Sequence, residues 1–204
     1  MGRIFLWEMN LKHSRLTDWG LSHVSIGETD TILDVGCGGG RTIRKMAALV
    51  SQGKVYGIDH SEASVAGARR TNSREIAASR VAIQHGSVSQ LPFADNFFDL
   101  VTGVETHFFW PHLPADMQEV HRVLKPGGSL ILIAEVYKGS MARTGRLAEK
   151  YESLMGMTLL TAAEHRELFE TAGFAEVQVF EERNKGWICA TGRKPGASDV
   201  VTNR

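Results

Sequence analysis

The chain has 204 residues, 43% of them hydrophobic, which is enough for one domain with a sizeable core. Lysine plus arginine and aspartate plus glutamate both total 23, so no net basic field exists to hold nucleic acid, and a small-molecule partner is favoured. Two cysteines without a CxxC spacing argue against a disulfide framework or a thiolate zinc site, and no run of about 18 apolar residues suggests a membrane span.

In chain order, Phe5, Met9, Leu16 and Trp19 recur at helical spacing and predict an amphipathic helix ending near Gly20. The opening MGRIFLWEMN lacks the small-residue cleavage site of a signal peptide, so a soluble, cytoplasmic protein is expected. TILDVG reads as a buried strand, GRTIRKMAALVSQ as a helix, and KVYGIDH as a second strand. Ser61 is placed to cap a long polar helix. VAIQH and FFDLVTGVE follow as strands, and PADMQEVHRVL as a helix with Pro114 in its first turn and a stop at KPGG. SLILIAEVY makes a fifth strand, apolar on both faces.

After Tyr137 the pattern gives two helices, the second opened by Thr161 and Glu164 in capping-box spacing and closed by Gly173. AEVQVFEE and WICATGR, joined by RNKG, predict an antiparallel hairpin. Non-alternating strands separated by helices indicate a doubly wound α/β fold with a mostly parallel, seven-stranded sheet. A single domain over 1–204 is expected, with an N-terminal lid helix in 1–28, a core over 29–194 and a disordered tail over 195–204.

The stretch ILDVGCGGGRT, Ile32 to Thr42, carries the chemistry, because the first strand-to-helix turn of such a sheet commonly holds a cofactor. A dinucleotide fingerprint requires glycine at Arg41 or Ile43, and a phosphate-binding P-loop also requires it at Arg41, so these frames fail. Asp34 would repel a pyrophosphate and favours a ligand with a cationic group. Asp59, about 20 residues past the glycines, stands where an acid accepts hydrogen bonds from ribose hydroxyls. A nucleoside with a free ribose and a cationic, amino-acid-like tail is S-adenosylmethionine.

Asp34, Gly36, Gly38 and Gly40 match the D-x-G-x-G-x-G signature, and the chain thereby resembles the class I S-adenosylmethionine-dependent methyltransferases. YGIDHS, GSVSQLPFADNFFDLVTG and EVHRVLKPGGSLILIAEV continue the resemblance in order, closest to the small-molecule, quinone-biosynthesis branch. The resemblance implies a Rossmann-like methyltransferase fold and a cofactor site in which Gly36, Cys37, Gly38 and Gly40 pack on the methionine moiety. Asp34 would order the loop or reach the ammonium, Asp59 would hold the ribose, and His60 would lie beside the adenine. Ser87 and Val88 would meet the adenine edge, with HGS standing where GD is common, and Gly103 and Val104 would face the sulfonium.

On the acceptor side, ETHFFWPH supplies His107 as a general base or acceptor-positioning group, its ordinary pKa near 6.5 suiting proton transfer at neutral pH. Phe108, Phe109 and Trp110 could wall an apolar acceptor pocket or serve as ordinary core. His13 is the N-terminal residue least explained by packing, and is the second candidate. Metal assistance is disfavoured, since neither HExxH nor paired cysteines occur. The expected partner is a small-molecule acceptor, with no nucleic acid or membrane, in a monomer or homodimer. Two alternatives stay open. One is a non-catalytic S-adenosylmethionine binder. The other is a nicotinamide oxidoreductase, which would want Tyr-x-x-x-Lys, whereas Tyr56, Tyr137 and Tyr151 lead to His60, Met141 and Met155.

Overall fold

The computed structural model describes residues 14–196. A helix over 14–21 (α1) precedes a seven-stranded sheet of order β3-β2-β1-β4-β5-β7-β6. Its parallel strands are β1 (Thr31–Val35), β2 (Lys54–Asp59), β3 (Val81–His85), β4 (Phe98–Val104) and β5 (Leu124–Ala134). The strands β6 (Ala175–Glu182) and β7 (Trp187–Arg193) form the expected hairpin, with β7 antiparallel to β5. The intervening helices are α2 (Arg41–Leu49), α3 (Glu62–Thr71), α4 (Ser73–Ala77), α5 (Leu113–Val123), α6 (Arg143–Met155) and α7 (Ala162–Thr171).

Strands covered on both faces need apolar side chains in both directions, and alternate residues here join different cores. Leu33, Val101, Leu130 and Leu132 face Met117, Val120 and Phe169 from α5 and α7. Ile32, Leu100, Ile131 and Ile133 face Leu16, Ile43, Met46 and Ala68 from α1, α2 and α3. Gly20 lets α1 lie against the sheet, because a Cβ there would come within 2.3 Å of Ile133 Cδ1. Thr161 and Glu164 form the capping box that the sequence predicts.

The structure departs from expectation at two places. The long polar helix after Ser61 breaks at buried Asn72, which ends α3 and whose side-chain amide donates to Gly40 O and Ala68 O at 2.9 Å each. KPGG is not a turn before the fifth strand but an outward bulge within it. Phe98 pairs with Leu124 and Leu100 with Ser129, so Lys125 to Gly128 are extruded, and Lys125 Nζ is held by both Asp99 oxygens at 2.8 Å.

Each outer strand has a carbonyl covered by a helix-borne arginine. Arg69 donates to Ile83 O of β3 from Nε and Nη2 at 3.0 and 2.8 Å, and Arg166 donates to Val177 O of β6 at 2.6 Å.

Phe98 is fully buried and meets Tyr56, Phe93 and Phe97 edge-on, at centroid distances of 5.5, 4.8 and 4.9 Å. Phe98→Ala is expected to cost about 3–5 kcal/mol of unfolding free energy in urea titrations, and Phe97→Ala, at 36% exposure, less than half of that.

Candidate functional site

β1 delivers the chain into a loop that β2 holds from below. Ile58 O accepts from Gly36 N and Cys37 N at 2.8 and 3.0 Å, and Asp59 Oδ2 accepts from Gly38 N at 2.8 Å. The other Asp59 oxygen takes Ser61 N at 2.9 Å, at the start of α3. Gly36, Gly38 and Gly40 all have positive φ, of 72, 50 and 77°, a region that side-chain-bearing residues rarely adopt.

Two clefts open at the carboxyl ends of the strands, where open α/β sheets bind ligands. The smaller, about 570 Å³, runs past Asp59, His60, Ser87, Val88, Phe109 and Trp110. The larger, about 970 Å³, lies between α1 and the loop and is bordered by Asp34, Cys37, Gly38, Arg41, Arg44 and Val104. A third hollow, about 520 Å³, sits around the KPGG bulge at the opposite end of the sheet, away from the glycine loop.

Asp34 is buried, and its Oδ1 accepts from Thr102 Oγ1 at 2.7 Å. Burial outweighs that bond and, with the nearby Asp59 charge, pushes the Asp34 carboxyl up to about 7. The Cys37 thiol is also driven far up, by burial first and then by Asp34 and Asp59, so it stays protonated and serves as packing.

Comparison with known proteins agrees with this geometry. A family model described as "Methyltransferase domain" matches residues 32–128. The chain is 32% identical to a demethylmenaquinone methyltransferase from Lactiplantibacillus plantarum, covering 83% of this chain and 80% of that protein. The chain belongs to the class I S-adenosylmethionine-dependent methyltransferases. It is also 26% identical, over 92% of its length and 96% of the relative's, to the Bacillus subtilis protein named uncharacterized methyltransferase YdaC. A solved SAM-dependent methyltransferase from Aquifex aeolicus shares the fold with a TM-score of 0.73 at 23% identity, covering 87% and 89% of the two chains.

S-adenosylmethionine is thus the cofactor of this methyltransferase. Asp59, His60, Ser87 and Val88 border one cleft, Asp34, Cys37, Gly38 and Val104 the other, and Gly36 both. A Cβ on Gly38 would meet nothing within 4 Å, so this part of the loop is open to a ligand. Asp59 already accepts two backbone N–H groups, yet a carboxylate offers about four acceptor positions and keeps room for ribose hydroxyls.

Gly40 and Gly103 border neither cleft. A Cβ on Gly40 would strike Asn72 Nδ2 at 2.5 Å and Ala68 Cα at 2.9 Å, so this glycine seats α2 against α3. One on Gly103 would meet Leu132 Cδ2 at 2.8 Å, with Thr106 and Trp110 just beyond, so that glycine lies beneath the site.

His107 is only 2% exposed and borders neither cleft. His165 Nδ1 donates to Thr161 O at 2.8 Å, which leaves its Nε2 to accept from His107 Nε2 at 3.0 Å. His107 Nδ1 then remains buried without a hydrogen-bond partner. Burial first, and His165 second, lower the His107 pKa well below the ordinary histidine range, so the pair is neutral and structural. His13 lies outside the described residues, as do Phe5 and Met9 of the expected lid helix and residues 197–204 of the expected tail. Within α1, Leu16 and Trp19 pack on the core while Ser14 and Thr17 border the larger cleft.

The sequence reading assigned no role to Thr102, Asn72 or His165, and it noted Glu105 only as the acid of the ETHFFWPH stretch. Glu105 follows β4 with a φ of 59° and borders both clefts. Its place after the strand was visible in the sequence, but its backbone conformation was not. Among the described residues, no group of three or more potential metal ligands occurs, and no helix is long and apolar enough to cross a membrane.

Two outcomes follow from these placements. His107→Ala is expected to lower unfolding free energy by about 2 kcal/mol in denaturant titrations while calorimetric affinity for S-adenosylmethionine changes less than about twofold. For Asp34, the unfolded carboxyl ionises near 3.8 and the folded one near 7, so the folded chain holds the extra proton between them. Its contribution to stability falls as pH rises through that window and is flat above it. Asp34→Asn is expected to remove this slope and to raise the denaturation midpoint of the ligand-free protein above about pH 8, as urea titrations across pH would show.

Proposed function

We propose that this methyltransferase acts on a small-molecule acceptor, with the cofactor's adenosine in the smaller cleft and its methionine moiety over the loop in the larger one. The observation that carries this reading is the meeting of the two clefts at Gly36 and Glu105. A ligand stretched between Asp59 and Asp34 then presents its middle at that junction. Ser87 and Val88 border the adenine end, Asp59 serves the ribose, and Asp34 serves the ammonium. Val104 borders the methionine side. The larger cleft, at about 970 Å³, has room beside the methionine moiety for an acceptor of modest size.

When bound, S-adenosylmethionine supplies an activated methyl group on a good leaving group. The chain's own work is to hold the acceptor in line and to limit water at the junction. Phe109, half exposed, and buried Trp110 border the nucleoside side and shield it. The equal numbers of acidic and basic residues and the relatives named as demethylmenaquinone methyltransferases support a small acceptor over a nucleic acid.

The test uses methyl-labelled S-adenosylmethionine with a cell extract separated into dialysable and macromolecular fractions. Label is expected in the dialysable fraction with the wild-type chain and is expected to fall at least about tenfold with Asp59→Ala, which removes a charge-assisted ribose contact. Label confined to nucleic acid or protein would overturn the small-molecule reading.

A further inference from the structure

Among the described residues, Arg41, Arg44 and Lys45 of α2 border the larger cleft, whereas no lysine or arginine borders the smaller one. Lys45 is engaged within the fold, its Nζ donating to Ser14 O at 2.8 Å and to Asp18 Oδ1, which ties α2 to α1. Arg41 and Arg44 are exposed, and among the described residues neither guanidinium has a hydrogen bond or an ion pair. Elsewhere in the fold Arg69, Arg80, Arg122 and Arg166 engage backbone carbonyls. The two cleft arginines instead keep their forked donors free, with a charge that a guanidinium holds at any physiological pH.

They stand three residues apart on one helix, so they leave it on one face with Cβ atoms about 5–6 Å apart, within reach of a single carboxylate or phosphate. The rest of the lining suits a polar occupant. Ser14 and Thr42 bring hydroxyl groups, and no aromatic side chain among the described residues borders this cleft. Phe109 and Trp110 border the smaller one instead. An apolar acceptor here would cover two guanidiniums without partners, a cost that an oxyanion removes.

The cofactor does not satisfy them in net charge. S-adenosylmethionine carries a carboxylate, an ammonium and a sulfonium, so its arrival adds positive charge to a cleft that already holds two unpaired cations. The surplus calls for an anion.

We propose that the methyl acceptor is a small acid whose carboxylate or phosphate is held by Arg41 and Arg44, while a separate nucleophilic atom takes the methyl group. The proposal rests on the reading that the larger cleft holds the methionine moiety with an acceptor beside it. In the transfer, a lone pair on the nucleophilic atom forms the bond to the methyl carbon as the S–CH3 bond breaks, and that electron pair stays on sulfur. A proton on the nucleophile passes to solvent. The anchoring group takes no part in bond making, so its charge stays in the product.

The test transfers label from methyl-labelled S-adenosylmethionine to a deproteinised, dialysable cell extract, using wild type, Arg41→Gln, Arg44→Gln and the double variant, and passes each product mixture over an anion exchanger. Calorimetric titration of the same proteins with S-adenosylhomocysteine, which has the same carboxylate, follows the cofactor side and certifies a folded site. With wild type, the transferred label is expected to be retained on the exchanger. In the double variant, transfer is expected to fall about tenfold or more, by less in each single variant, with the deficit shrinking as the extract is concentrated. Affinity for S-adenosylhomocysteine is expected to stay within about twofold. Transferred label that passes through the exchanger would overturn the proposal, as would undiminished transfer by the double variant. An equal loss of S-adenosylhomocysteine affinity would assign both arginines to the cofactor's carboxylate and overturn it too. Wild type that binds S-adenosylhomocysteine but labels no dialysable compound would overturn the small-molecule reading beneath the proposal, and the proposal with it.

Discussion

The site depends on a loop fastened to the end of the neighbouring strand. Ile58 O receives two consecutive N–H groups from Gly36 and Cys37, and the next residue, Asp59, receives a third from Gly38. Those bonds require β1 and β2 to be adjacent and in register, with Val35 opposite Ile58. They also require Gly57, because a Cβ there would come within 2.3 Å of Ile43 Cδ1 and 3.1 Å of Cys37 Sγ. The glycine that matters for this approach thus lies in β2, outside the loop it admits. Asn72 ties the far end of the loop to α3 through Gly40 O, so strand and helix hold it from opposite sides.

The two aspartates of the site carry out different electrostatic work because their surroundings differ. Asp59 is bound by two backbone N–H groups, which leave its carboxylate acceptor capacity toward the smaller cleft. Asp34 has one hydroxyl donor and little water, and its neighbour Asp59 adds repulsion. A carboxyl in that position is comfortable as the neutral acid or beside a cation. In the proposed placement an ammonium group would supply a countercharge at that carboxyl, coupling ligand binding to stability.

The sheet and its cofactor were legible in the sequence because they rest on local patterns. Strands such as SLILIA need apolar residues on both faces, and Thr161 with Glu164 announce a helix start within four residues. The positions of Asp34 and Asp59 were legible for a similar reason, as each sits near a strand end that the pattern fixes. The packing around Gly40 and Gly103 was not legible, because a glycine's surroundings are set by what faces it. Those neighbours, Asn72 and Ala68 for one and Leu132 for the other, come from far along the chain. The burial of His107 was not legible for the same reason. Its solvent path is closed by the fold, and its ring partner, His165, lies 58 residues away. KPGG has the composition of a turn, and only the pairing of Leu124 with Phe98 makes it a bulge inside a strand.

The arginines at the sheet's margins bear on how this chain meets other chains. A seven-stranded open sheet ends in two strands, β3 and β6, whose outer backbone groups could template a further strand. Arg69 occupies Ile83 O on one margin and Arg166 occupies Val177 O on the other, each from a helix already packed beside its strand. An approaching polypeptide would have to displace a charged donor before forming its first ladder bond. The fold therefore discourages fibre-like growth at both margins, a protection separate from catalysis and written into two surface side chains.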